Sequence, residues 1–151
     1  MLKAAIETAS LHHHRAMSNY QEIKAYDLSI SLFDETEKIK TIDAFIFRFI
    51  KLQDFMSEKL FRRLLEAVGE YKDSMSLLDV LDKLEKLKVL KDVNQWIAIR
   101  KLRNQLTHEY PDNREDVLEG IKMALAYFES IGNLLQSIID YSHQKRLLKE
   151  T

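Results

Sequence analysis

Residues 39–68 run without a glycine or proline and are so rich in Ile, Phe and Leu that they predict one long central helix covered on both sides. Phe45, Phe47, Phe49, Phe55 and Phe61 are read as core within it, and Gly69 as its stop. A helix of that kind needs other helices around it, and their patterns are present. Leu2, Ile6, Ala9, Ala16, Tyr20 and Ile23 keep helical spacing and predict a first helix over about 2–25. Residues 26–33 read as a loop, and Asp34 with Glu37 three positions on reads as a capping box that opens the central helix. Ser76 starts a shorter helix with Leu77, Leu81 and Leu84 in one stripe, ending near Leu90. Asp92 with Gln95 is a second capping signature, for a helix that must stop before Pro111. Asn113 caps a last long helix whose Val117, Ile121, Ala124, Phe128, Ile131, Leu135 and Ile138 form one stripe. The basic tail, 143–151, is expected to fray.

The composition agrees. Hydrophobic residues make up 46% and charged residues 31%, with three Gly and one Pro, a balance unlike that of sheet sandwiches built on Gly/Pro turns. The expected fold is all-α, an up-and-down four-helix bundle with an additional short helix, in a single domain over 1–151. With no cysteine, disulfides and thiolate metal sites are excluded, and the cytoplasm is the expected location. The N-terminus lacks the apolar run of a signal peptide, and no stretch is apolar enough to span a membrane. Net charge is −1, so a polyanion would have to be held by a local basic patch.

No metal or cofactor is expected. His12, His13 and His14 are consecutive, so on a helix they point about 100° apart and cannot converge on one ion. There is no Glu-x-x-His pair of the di-metal bundles and no H-E-x-x-H, and the glycines at 69, 120 and 132 are too isolated for a phosphate loop. Arg48 stands out as a charge in the apolar central helix that must pair or snorkel.

The chemistry concentrates in residues 96–113, WIAIRKLRNQLTHEYPDN. Arg100, Asn104 and His108 are spaced by four and share a helix face, with Val93 and Ile97 beside them, while Ile99, Leu102 and Leu106 share the core face. Arg103 lies five residues before His108, a separation of roughly 140° at 3.6 residues per turn. Three arrangements would let them act together: a distorted last turn before Pro111, an Arg103 stem that reaches round, or a site shared between two subunits. The last suits phosphodiester cleavage, which needs one group to take a proton and another to give one, roles that two copies of His108 would divide. Arg100, Lys101 and Arg114 flank the motif as candidate RNA or nucleotide contacts. They are interleaved with Glu109, Asp112, Glu115 and Asp116, so a solvated mixed-charge face accounts for them equally well.

Arg103-Asn104-Gln105-Leu106-Thr107-His108-Glu109-Tyr110 resembles the R-x4-6-H motif of the HEPN superfamily and the narrower R-x4-H-x-Y form of HepT-type toxins. The run FRFIKLQDFMSEKLF is similar to the corresponding helix of the branch known as substrate-binding partners of nucleotidyltransferases. The resemblance implies a HEPN-like homodimer whose paired helices bring two copies of the motif into one cleft. Arg103 would hold the scissile phosphate, Asn104 would orient it, and His108 would act as general acid/base without metal, leaving a 2′,3′-cyclic phosphate. It also implies a toxin-antitoxin module in which an MNT-type nucleotidyltransferase antitoxin adenylylates Tyr110, adding bulk and negative charge beside the RNA site. Two other readings are a non-catalytic HEPN-fold partner that presents a nucleotide or Tyr110 to a minimal nucleotidyltransferase, and a purely structural helical protein.

Overall fold

The computed structural model describes residues 1–107 and 113–148, and every regular element among them is helical. Helix α1 spans Leu2–Lys24, close to the expected limits. A single 3-10 turn, Ile30–Asp34, follows and buries Leu32 completely. Helix α2 is one continuous rod of three stretches, Thr36–Phe55, Met56–Leu60 and Phe61–Ala67. Then come α3 (Leu77–Lys86), α4 (Val93–Thr107) and α5 (Arg114–Gln144).

Local chemistry explains most of the boundaries. At α3 the Ser76 hydroxyl accepts from the Asp79 N–H while the Asp79 carboxylate accepts from the Ser76 N–H, a complete capping box. At α4 the Asp92 carboxylate accepts from the Asn94 N–H, but Gln95 turns away to donate to Ser130, so the reciprocal half expected of Gln95 is not made. At α5 the Asn113 side chain accepts from the Asp116 N–H. Gly69 ends α2 at a φ of 75°, with its own N–H and that of Glu70 closing onto Glu66 and Leu65. The same closing turn ends α3 without a glycine: Lys88 takes a φ of 62°, and Val89 and Leu90 are already past the helix. That is why the sequence places this end several residues late.

Three expectations are corrected. Asp34 does not cap α2, because the 3-10 turn carries it away from the helix start; Glu35 occupies the N-cap position and makes no side-chain cap bond. The Asp34 carboxylate instead lies 3.6 Å from Arg114. Nor is α2 covered all round, since Phe47 is 56% exposed. Finally, α2 is not uniformly α: over Met56–Leu60 it widens into a π turn, in which the Phe61 N–H reaches back five residues to the Met56 carbonyl. The buried residues Leu52, Met56, Leu60 and Leu64 recur every four positions, and each such step overshoots an α turn by about 40°. The wider turn absorbs that drift and keeps the stripe on the core.

Helix α1 lies along α2, α5 packs against α1, α2 and α4, and α3 bridges the end of α2 and α4. Phe45 is the hinge of the aromatic core, 5.5 Å from the Phe128 ring and 6.2 Å from that of Tyr20, and Phe61 meets Trp96 edge-on at 5.0 Å. Each such ring, fully buried, contributes about 1.5–3 kcal/mol. After α5 the chain turns at Arg146, and Leu147 and Leu148 pack partly buried against the core. Among the described residues no helix is long and apolar enough to cross a membrane.

Candidate functional site

Helix α4 crosses α2 with Ile99 and Leu102 buried and Leu106 partly so, which leaves Arg100, Arg103 and Asn104 along its edge. What they meet on α2 is Asp54. Its Oδ1 accepts from Arg100 Nη1 and Arg103 Nε, each at 2.8 Å, and its Oδ2 accepts from Arg103 Nη2 at 2.7 Å. Arg103 therefore grips the carboxylate with two prongs, and Arg100, one turn earlier, shares one of its oxygens. All three side chains are about three-quarters buried. Arg100 also donates to the Oε1 of Gln53 at 3.1 Å, and the Trp96 indole N–H donates to Ser57 at 3.0 Å, so polar bonds run the length of the crossing.

Burial alone would raise the Asp54 carboxyl pKa, but the hydrogen bonds from Arg103 and Arg100, with the charges behind them, outweigh it and hold Asp54 below the ordinary carboxylate range. Arg103 is pushed the other way, its cationic form favoured by the bonds to Asp54 over the cost of burial. Two guanidinium cations on one carboxylate leave the cluster with one net positive charge. Arg103 has five N–H donors and spends two on Asp54; a third points at the Asn104 Oδ1 at 3.5 Å.

The expected site residues do not all come together. Arg100, Arg103 and Asn104 do. Lys101 is exposed, and Arg114 is drawn to the 3-10 turn, where it meets Asp34 and lies 5.6 Å from the Phe33 ring centre. His108 and Tyr110 lie outside the described residues. Of the three ways to join Arg103 to His108, the reach of Arg103 around α4 is already committed to Asp54.

Asp54 and Gln53 are the members of this cluster that the sequence reading passed over. A trace was present: Gln53 is wholly buried in an apolar stripe, and a buried amide demands a partner. Arg48, marked as a charge that must pair or snorkel, has no carboxylate within ion-pairing distance among the described residues and is only partly buried. It lines a cleft of about 460 Å3 between α1 and α2, together with His12, Arg15, Phe47, Lys51, Asp54, Glu58 and Lys59. A second cavity of about 280 Å3, next to Trp96 and Leu134, has Lys91 as its only ionisable lining group.

The three histidines behave as consecutive helical residues should. His12 lies 5.8 Å from the Phe55 ring, His13 stacks on Phe128 at 4.9 Å, and His14 is exposed. Burial lowers the pKa of both His12 and His13. No group of three or more metal-ligating side chains occurs among the described residues. Comparison of the chain with protein-family models, curated proteins and solved structures returned no match.

Proposed function

We propose that this chain is a HEPN-like, metal-independent endoribonuclease of the HepT toxin type, acting as a homodimer and neutralised by an MNT-type nucleotidyltransferase that adenylylates Tyr110. The observation that carries the reading is the Asp54 clamp: it fixes the motif arginine, Arg103, and its neighbour Arg100 at the polar edge of α4, with positive charge and donors to spare. Donors fixed before substrate arrives stabilise developing phosphorane charge without reorganising. In the proposed reaction the RNA 2′-oxygen attacks its own 3′-phosphorus and loses its proton to one His108. The P–O5′ bond breaks, and the leaving oxygen takes a proton from His108 of the partner subunit, giving a 2′,3′-cyclic phosphate and a 5′-hydroxyl. Arg103 neutralises the phosphate and Asn104 orients it.

The same clamp supports a second reading. A guanidinium whose forked edge is taken by Asp54 also suits a structural tie between α2 and α4, as in a non-catalytic partner that presents Tyr110 or a nucleotide to a nucleotidyltransferase. Purified protein and its His108→Ala variant, incubated with total RNA and tRNA in EDTA, separate the two. Cleavage by wild type, with cyclic phosphate ends and a loss of about 10² to 10⁴ in rate in the variant, is expected of the ribonuclease. Intact RNA with both proteins, when mass spectrometry finds Tyr110 unmodified, would leave the partner reading in its place.

A further inference from the structure

We propose that the cleft between α1 and α2 is a track for the phosphate backbone of single-stranded RNA, leading the strand to the Arg100–Asp54–Arg103 cluster. The choice of RNA rests on the ribonuclease reading; the cleft itself rests on its own chemistry. Arg15 comes from α1 and Arg48, Lys51 and Lys59 from α2, against two carboxylates, Asp54 and Glu58, and Asp54 already serves Arg100 and Arg103. Among the described residues none of the four cations has a carboxylate within ion-pairing distance. In a protein of net charge −1 this is a concentrated positive patch rather than a share of a general excess.

Four cations against two carboxylates, none of the four within ion-pairing distance of a carboxylate among the described residues, cost stability unless something answers them, and the neighbouring histidine registers the cost. His12 has a buried Nδ1 with no hydrogen-bond partner, and after burial itself the positive charges of Arg15, Arg48 and Lys51 lower its pKa. The missing component is an anion. Phe47 says which kind: its ring is 56% exposed on the same cleft, with the Lys51 ammonium 5.5 Å from its centre. An exposed aromatic set among cations is a base-stacking platform beside a phosphate track, the combination that binds single strands without reading sequence. Residues 47–59 of α2 extend the track over about 18 Å at 1.5 Å per residue. Asp54 belongs to both the cleft lining and the arginine cluster, so the track ends at the motif.

The test is fluorescence anisotropy of the full chain in EDTA with a labelled 2′-O-methyl RNA strand, which lacks the nucleophile and so reports binding apart from cleavage. The triple variant Arg15→Gln/Arg48→Gln/Lys51→Gln should bind at least about tenfold more weakly at low salt, and its log K against log salt should flatten by about 2, at 0.7 per lost contact. Phe47→Ala should weaken binding about tenfold with the slope kept. Thermal melts confirm that the variants are folded. Unchanged affinity and slope in the triple variant would overturn the track, as would no binding by wild type or displacement of the strand by equimolar ATP, which marks a free-nucleotide pocket. A strand bound with the predicted slope but an unmodified RNA left uncut would leave the track standing and remove the ribonuclease. Cleavage with an unaltered slope would do the reverse.

Discussion

On the side of α2 that meets α4, two arginines share one carboxylate; on the side that meets α1, four cations line a cleft with no carboxylate paired to any of them among the described residues. The two regions sit within a few turns of one helix and are joined at Asp54. The difference separates two uses of positive charge. Cations held by a carboxylate are positioned, and they add stability through bonds that are about three-quarters buried. Cations without one are available, and they subtract stability through mutual repulsion until an anion arrives.

Removing the carboxylate should have the largest effect on folding. Asp54→Asn leaves two guanidinium groups facing each other without their counter-charge, and is expected to cost about 2 kcal/mol in denaturant melts and about 4–8 °C in Tm. The advantage of wild type over this variant should depend on pH with a definite sign. The Asp54 carboxyl is depressed in the folded state relative to about 3.9 in the unfolded chain, so its contribution is complete above that value. It is lost as pH falls through the lower folded value, and the two melts should converge in strong acid. A difference that persists there would mean that the geometry of Asp54, not its charge, holds the crossing.

The opposite side should behave differently. Arg48→Gln/Lys51→Gln removes two cations that no carboxylate answers, so stability should stay within about 0.5 kcal/mol of wild type or rise slightly. Added salt, which screens the repulsion in wild type, should narrow any gain. A clear loss of stability would show that these cations are structural, and the contrast between the two sides would collapse.

The parts legible in sequence are those whose cause is local. Ser76 before α3, Asn113 before α5 and Gly69 after α2 each act on backbone groups within a few residues, and the structure realises each of them. Asp34 failed as a cap because the 3-10 turn, anchored by the buried Leu32, moves the helix start past it. Lys88 shows that a closing turn can form on a residue that gives no warning. The candidate site divides in the same way. Helical spacing put Arg100 and Asn104 on one edge of α4, but the partner of Arg100 and Arg103 stands 46 and 49 positions away, and periodicity describes a face without naming its neighbour. The π turn at Met56–Leu60 was written in the four-residue recurrence of Leu52, Met56, Leu60 and Leu64, a period that passes for α unless its drift is counted.

The central claim is that Arg103 handles phosphate and does more than tie α4 to α2, and Arg103→Lys tests it most directly. Lysine keeps the charge and the pairing with Asp54 but loses the planar fork. Cleavage of a defined RNA in EDTA should fall by about 10²-fold or more while the melt shifts by about 1 kcal/mol or less. Full activity in Arg103→Lys, or activity lost only in step with stability, would contradict the account and leave Arg103 as a bracket between two helices.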